Sequence, residues 1–191
     1  MSESLLGKLS IDPMPDLLPI IIRPEHPTDH AATEALVLAA FAPDERVAEL
    51  VRRLRHSPAL ITEGNLVAQV EGEELLVGHL MVSRAVIASG HTLALLSPLG
   101  VLPGYQRQGV GSALVKQALA RLRQSPFPVV VLEGAPDYYP RLGFGSAHAL
   151  GIAPPYPLPT AVWQAYRLPA YQGTERGQLT YPPAFDFLHP T

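Results

Sequence analysis

Residues 97–111 run Ser97-Pro98-Leu99-Gly100-Val101-Leu102-Pro103-Gly104-Tyr105-Gln106-Arg107-Gln108-Gly109-Val110-Gly111. This order predicts a β-strand that passes through a glycine turn directly into a helix. Pro98 and Gly100 interrupt the strand, so a bulge or an open edge is expected there. The start of a helix presents unpaired N–H groups and a partial positive charge, and glycines let a ligand approach the backbone closely. The turn is therefore suited to a diphosphate, and Arg107 adds a positive charge.

A second interpretation of Gly109 and Gly111 is that they only permit tight packing of the helix on the strand. For an isolated G-x-G pair this interpretation is the stronger one, but a strand before the turn and an amphipathic helix after it favour binding. A dinucleotide fingerprint fails because Leu114 replaces the third glycine. A Walker-type loop fails because no Lys-Ser or Lys-Thr pair follows either glycine.

The hydrophobic spacing along the rest of the chain predicts a mixed α/β arrangement of the α+β class. A first strand is expected at Leu17–Arg23, followed by a helix that Thr28 caps and a second helix that starts near Pro43. Glu49 and Arg53 are spaced as an i, i+4 ion pair on that second helix. The later predicted elements are strands at Leu66–Val70, Leu75–Ile87 and His91–Val101, a helix over 110–122, a strand at Pro128–Leu132, a short helix at Asp137–Leu142, and strands at Ala161–Leu168 and Gly177–Phe187. This order suits one mixed, mostly antiparallel sheet covered by helices.

Composition excludes several classes of function. The chain has 191 residues, 47% of them hydrophobic and 16% charged, with a net charge of −3 and no cysteine. No global positive field is available for nucleic acid, and cysteine chemistry is excluded. The longest apolar run, Ala35–Ala42, is too short to span a membrane, and no signal peptide is expected, so a cytoplasmic protein is predicted. His26 and His30 flank Pro27 without a third ligand, so no metal site is expected.

Two motifs in order resemble one family. Residues 106–111 resemble the Q/R-x-x-G-x-G/A coenzyme A pyrophosphate loop of the GNAT N-acetyltransferases. Residues 132–144, Leu132-Glu133-Gly134-Ala135-Pro136-Asp137-Tyr138-Tyr139-Pro140-Arg141-Leu142-Gly143-Phe144, are similar to the L-E-G-x-P-x-Y-Y-x-R-x-G-F pattern of a bacterial branch of predicted GNAT acetyltransferases. Ala135 stands where that branch often has an acid, and Leu142 where it often has Phe. The resemblance covers roughly residues 18–168.

The resemblance implies the GNAT fold with splayed central strands and acetyl-CoA as co-substrate. Pantetheine is expected to pair with the open backbone of Leu99, Gly100 and Val101, with an N–H near Leu99 or Val101 polarising the thioester carbonyl. The diphosphate is expected at the turn formed by Gln106, Arg107, Gln108, Gly109, Val110, Gly111 and Ser112. Tyr139, four residues before Gly143, takes the place of the family's tyrosine that protonates the departing thiolate.

Glu133, at the end of the short strand, is the candidate group that receives the proton of the attacking amine, directly or through water. Asp44 and Glu45 either shape the acceptor entrance or simply begin a helix. The expected division of the chain is an irregular segment at 1–16, the acetyltransferase domain at 17–168 and an extension at 169–191 packed on it.

The expected function is transfer of an acetyl group from acetyl-CoA to a primary amine of a small molecule or peptide, by direct attack in a ternary complex. The alternative is an acyl-CoA sensor of the same fold without turnover. A third hypothesis is a scaffold whose proline-rich late segment contacts a partner. The apolar extension favours a homodimer, and neither nucleic acid nor membrane is an expected partner.

Overall fold

The computed structural model describes residues 19–188. The predicted irregular segment 1–16, the first residues of the strand predicted at Leu17–Arg23 and residues 189–191 of the extension lie outside that range. The helices are α1 (His30–Phe41), α2 (Arg46–Arg55) and α3 (Val110–Leu122). The strands are β1 (Ile20–Pro24), β2 (Leu66–Val70), β3 (Leu76–Ile87), β4 (Thr92–Val101), β5 (Val129–Glu133), β6 (Gly145–Ser146), β7 (Ile152–Ala153), β8 (Trp163–Arg167) and β9 (Gly177–Thr180).

The strands form one mixed sheet in the order β1-β2-β3-β4-β5-β8-β6, with β9 added to the end of β3 and β7 paired to β9. Neighbours are antiparallel except for β4 with β5 and β7 with β9, which are parallel. The two hairpins that join β2, β3 and β4 are the expected meander. The predicted fold class, a mixed and mostly antiparallel sheet with flanking helices, is confirmed.

Both faces of the sheet are buried, which explains the continuous apolar run of β5. Val129 and Val131 face a core that α1, α2 and the C-terminal segment cover. Val130 and Leu132 face a second core under the apolar stripe of α3. The sheet is therefore held between α1 and α2 on one side and α3 on the other.

Three local predictions were wrong in detail, each for a physical reason. Thr28 does not cap α1, because a 3₁₀ turn at Pro27–Asp29 precedes it and Asp29 instead bonds Arg23 at 2.6 and 2.9 Å. The strand predicted at Gly177–Phe187 ends at Thr180, and a 3₁₀ turn at Pro183–Leu188 follows, since two prolines remove ladder donors there. The helix predicted at Asp137–Leu142 is a 3₁₀ turn at Tyr139–Leu142. The Glu49–Arg53 ion pair is confirmed at 2.7 Å.

A buried charged cluster fastens α1 and α2 to the sheet. Glu25, directly after β1, pairs with Arg55 of α2 at 2.5 Å, and their side chains are only 1% and 6% exposed. The carboxylate of Glu25 also accepts hydrogen bonds from Thr33 and Asn65, both at 2.7 Å, and His79 Nε2 lies 3.4 Å away. Burial by itself raises the pKa of Glu25, but contacts with His79, Arg55 and Thr33 outweigh it and hold that pKa well below its usual range. Glu25 is therefore anionic in the folded protein.

Glu25→Gln is expected to lower the free energy of unfolding by about 3–5 kcal/mol at pH 7, because it leaves the guanidinium of Arg55 buried without a counter-charge. Urea denaturation at pH 7 measures this loss. The matched control is Glu74→Gln, which removes an exposed carboxylate in the β2–β3 turn and is expected to change stability by less than about 0.5 kcal/mol.

The same pair has a defined pH dependence. Because the pKa of Glu25 is lower in the folded protein than its ordinary value of 4.5, its carboxylate stabilises the fold fully above about pH 4.5. This stabilisation is lost progressively as the pH falls below that value. The difference between the wild type and Glu25→Gln is therefore expected to shrink as the pH falls from 7 to about 3.5. A difference that is absent at pH 7, or that grows on acidification, would contradict the role of this cluster.

Candidate functional site

The candidate site lies where β4 and β5 separate. These parallel strands pair over only two positions, Ala94 with Val130 and Leu95 with Val131. β4 then continues to Val101 against β3, while β5 continues to Glu133 against β8. The two strands thus diverge, and a gap opens between their C-terminal halves.

A β-bulge in β4 stands beside the gap. Leu80 of β3 faces Leu99, whereas Val82 faces Leu96, so β4 carries one extra residue in this interval. Ser97 and Pro98 occupy it, and the proline has no N–H to offer to a neighbouring strand. The interruption expected from the sequence at Pro98 is confirmed.

The backbone of β4 alternates between β3 and the gap. Leu102 N donates to Val77 O at 3.0 Å, and antiparallel hydrogen bonds recur at every second residue, so the backbone groups of Gly100 bond β3. Those of Leu99 and Val101 therefore face the gap. Gln106 Nε2 donates to the Val101 carbonyl at 3.1 Å, which ties the following turn to this edge.

The turn before α3 forms a concave array of N–H groups. Gly109, at the N-cap, has a left-handed φ of 87° and no side chain caps the helix. The first i→i−4 bond of α3 runs from Ala113 N to Gly109 O at 2.9 Å, so the amides of residues 110–112 precede the helical ladder. Arg107 also has a positive φ, 58°, which is uncommon for a side-chain-bearing residue and curves the backbone further. Such a nest binds anions.

A cleft of about 570 Å³ lies over this turn. Tyr138, from the loop after β5, reaches across it, and its hydroxyl lies 3.2 Å from Ser112 Oγ. A Cβ at position 111 would lie 2.8 Å from the same hydroxyl, so glycine is required for this approach. Arg107 and Arg141 supply two positive charges. The residues that line the cleft are Leu99, Val101, Gln106, Arg107, Gly109, Gly111, Ser112, Tyr138 and Arg141.

Three residues predicted for coenzyme binding do not line the cleft. Gly100 bonds β3 and turns its Cα toward α1, where a Cβ would lie 3.2 Å from the ring of Phe41. Gln108 Nε2 turns back to the Gly104 carbonyl at 2.8 Å. The side chain of Val110 is buried in the core under α3. Of these three, only the amide of Val110, in the first turn of α3, remains a candidate contact for an anion.

A second cavity of about 550 Å³ adjoins the first, and Leu99 lines both. Its floor is the separated strands, and its walls are α1–α2 on one side and the segment after β6 on the other. The lining residues are Phe41, Asp44, Arg46, Val47, Leu50, Leu95, Leu96, Ser97, Pro98, Leu99, Glu133, Gly134, Ala135, Tyr139, Tyr156, Val162, Tyr181, Phe185 and Leu188. Both predicted catalytic residues, Glu133 and Tyr139, are among them.

Tyr139 is held rigidly at the wall of this second cavity. Its ring lies against Gly134, where a Cβ would come within 2.2 Å of the ring, and it packs edge-on against Phe144 at 5.6 Å between centroids. Burial raises the pKa of Tyr139 to about 12. The hydroxyl therefore stays protonated at neutral pH and can donate a hydrogen bond or a proton.

Glu133 projects into the same cavity from the end of β5. Tyr156 Oη donates to Glu133 Oε2 at 2.7 Å. Burial, and next the bond to Glu133, raise the pKa of Tyr156, while the Tyr181 ring packs edge-on against Tyr156 at 6.1 Å. Asp44 lines the cavity and also accepts a hydrogen bond from Arg46 N, the first residue of α2, at 3.0 Å. Glu45 does not line it.

Sequence reasoning did not assign Tyr138, Arg141, Tyr156 or Tyr181 to a site, although all four line one of the two cavities. Tyr138 and Arg141 belong to the second motif, but the motif alone does not say that they reach the glycine turn. Tyr156 lies in a proline-rich segment predicted to be irregular, and Tyr181 lies in the strand predicted at Gly177–Phe187; no local pattern pointed to either as a site residue. Within residues 19–188 no group of three or more His, Asp or Glu side chains could hold a metal ion, and no helix is long and apolar enough to cross a membrane.

Comparison with known proteins places the chain among acetyltransferases. Residues 28–144 match the model of the acetyltransferase (GNAT) family. The chain is 34% identical over 140 residues to the uncharacterized N-acetyltransferase YjhQ of Escherichia coli strain K12, which covers 70% of the chain and 74% of that relative.

Two solved structures share the fold. The GNAT family N-acetyltransferase YhbS from Escherichia coli, in complex with CoA, superposes with a TM-score of 0.80 at 28% identity and covers 91% of this chain and 95% of that one. A GNAT family acetyltransferase from Brucella melitensis, in complex with acetyl-CoA, gives a TM-score of 0.72 at 29% identity, covering 88% and 99%. Since the family match spans more than half of the 191 residues and the splayed sheet agrees with it, the chain belongs to the GNAT family and is an acyltransferase.

Proposed function

We propose that the chain transfers the acetyl group of acetyl-CoA to a primary amine by direct attack within a ternary complex. The observation that carries this proposal is that the anion-binding cleft and the second cavity meet at Leu99, where the separated strands leave backbone groups open. A coenzyme in the cleft and an amine in the second cavity would meet there. Positioning of two reactants in this way supplies much of the rate.

The cleft fits the diphosphate of acetyl-CoA. Its left-handed Gly109, the uncapped amides of residues 110–112 and the guanidinium groups of Arg107 and Arg141 supply positive potential and close backbone access. Gly111, with no room for a Cβ, keeps the cradle open next to Tyr138. When bound, the coenzyme supplies the activated acetyl thioester.

The residues of the chain then hold the reacting groups and move two protons. The N–H of Leu99, which faces the gap, is placed to polarise the thioester carbonyl. Glu133 takes a proton from the amine, directly or through water, as the N–C bond forms. Tyr139 donates its proton to the sulfur as the C–S bond breaks, and its pKa of about 12 keeps that proton in place until charge develops. The products are the amide and free coenzyme A.

Gly109→Glu is expected to abolish acetyl-CoA binding, because it adds bulk and negative charge to the nest. Thermal unfolding measures this: acetyl-CoA at 100 times its Kd adds about 2.7 kcal/mol, and is expected to raise the midpoint of the wild type by about 5–10 °C. Gly109→Glu is expected to show no shift.

The matched control for this binding test is Gly72→Glu. Gly72 has a similar left-handed φ of 80°, is exposed and has no atom within 4 Å of the point that a Cβ would occupy, so this variant reproduces the strain and the charge away from the cleft. Its shift with acetyl-CoA is expected to equal that of the wild type. Equal shifts for both variants would remove the glycine turn from the proposal.

Tyr139→Phe is expected to lower kcat by about 10²-fold or more and to leave the affinity for acetyl-CoA unchanged, since it removes only the proton donor. Release of free CoA at saturating amine measures kcat. Tyr166→Phe, which removes a hydroxyl outside both cavities, is the control. Tyr138→Phe is expected to weaken acetyl-CoA binding instead, so a loss of kcat confined to Tyr138→Phe would move the acid to that residue.

The acyl-CoA sensor makes a different prediction. It binds acetyl-CoA with a thermal shift but releases no CoA with any amine. That combination would overturn the transfer reaction while leaving the coenzyme site intact.

A further inference from the structure

We propose that the acceptor is a small aryl- or alkylamine with an apolar skeleton and no anionic group. This inference rests on the proposed function and names the substrate class of its second cavity. It is carried by the lining of that cavity, by the pairing of its charges and by the position of the Glu133 carboxylate.

The lining is mostly apolar on the two walls that the acceptor would touch. α1 and α2 contribute Phe41, Val47 and Leu50. The opposite wall contributes Val162 and Leu188 together with the Phe185 ring, which packs against Tyr181 at 4.8 Å between centroids. Apolar surface of this kind favours an apolar ligand body, because the hydroxyls of a sugar or the amides of a peptide that are buried against it lose their hydrogen bonds to water.

The described residues that line the cavity offer an anionic ligand no cation that lacks a carboxylate partner. Among the described residues that line it, the charged side chains are Asp44, Arg46 and Glu133. Arg46 is already held at both ends of its fork by Asp44, with Nε to Oδ1 at 2.9 Å and Nη2 to Oδ2 at 2.6 Å. A carboxylate or phosphate on the acceptor would therefore have to compete with Asp44 for Arg46.

Glu133 marks the position of the amine. Tyr156 Oη donates to Oε2 of this carboxylate at 2.7 Å, and Glu133 lines the cavity. With Asp44 and Arg46 neutralising each other, Glu133 gives the cavity its net negative charge. An ammonium group is the complementary ligand, and the rings of Tyr139 and Tyr156 beside it add cation–π attraction.

The wall of the second cavity that faces α1 and α2 lies outside the part of the chain that the family model matches. Tyr156, Val162, Tyr181 and Phe185 all follow residue 144, where that match ends. The extension predicted at 169–191 thus supplies part of the site. A shared coenzyme cleft with a separate acceptor wall lets one fold serve many amines, because the fold itself does not fix the substrate.

The test compares matched amines at fixed, saturating acetyl-CoA, with release of free CoA as the readout. 2-Phenylethylamine and L-phenylalanine differ only in a carboxylate, and kcat/KM is expected to favour the former by at least about 100-fold. Glucosamine and a tripeptide amide with an N-terminal phenylalanine represent the polyhydroxylated and peptide classes, and both are expected to be poorer than 2-phenylethylamine.

A variant tests the charge argument independently. Asp44→Asn releases Arg46 and is expected to reduce the discrimination against L-phenylalanine by about fivefold, the scale of one partly exposed ion pair. Glu49→Gln, which frees Arg53 on the same helix outside the cavity while Arg52 keeps its partner Glu34, is the control and is expected to leave the ratio unchanged. An unaltered ratio in Asp44→Asn would overturn the role of this pair.

The outcomes separate the two proposals. Preferred acetylation of L-phenylalanine, glucosamine or the peptide would overturn the apolar amine and leave the transfer reaction standing. Absence of CoA release with every amine, from a protein whose midpoint still rises with acetyl-CoA, would overturn the transfer reaction and this inference with it.

Discussion

The structure depends on how briefly β4 and β5 pair. Two parallel pairs, at Leu95 and its neighbour, hold the sheet together, and beyond them each strand follows its other partner. Pro98, which lies in the bulge of β4, has no N–H to donate to a neighbouring strand. The ring of Tyr139 packs against Gly134 and so fixes the path of the chain after β5. A sheet paired along its full length would leave no gap, no open backbone at Leu99 and no junction between the two cavities.

The two cavities are formed by different parts of the chain, one largely by backbone groups and the other by side chains. The cleft over the glycine turn is formed largely by backbone: a left-handed Gly109, the first amides of α3 and the edge of β4 that faces the gap. Backbone groups suit a ligand of constant structure, since they are the same whatever the side chains. The second cavity is formed by side chains from α1, α2 and the C-terminal segment, which can change without disturbing the sheet.

The two walls of the second cavity are fixed to the sheet in different ways. The buried Glu25–Arg55 pair fastens α1 and α2 to the end of β1. The opposite wall is secured by β9, which pairs with β3, and by Trp163, which donates to the Ile152 carbonyl at 3.0 Å. Arg53 of α2 lies over the Phe187 ring at 4.2 Å, so the walls also contact one another. These contacts set the distance between the two walls of the second cavity, where Tyr156 bonds Glu133.

The sequence by itself determined the features that neighbouring residues decide: the stripe of α3, the meander of β2 to β4, the interruption at Pro98 and the glycine turn before Val110. Its two motifs also placed Glu133 and Tyr139 at one site. It misplaced the start of α1, because Asp29 is engaged by Arg23, and it extended the last strand past Thr180. Only the tertiary structure brought Tyr156 and Tyr181 to Glu133 and turned Gly100 away from the cleft. The physical reason is that such contacts join residues far apart in the chain, so they depend on the packing of whole elements and leave no local pattern in the sequence.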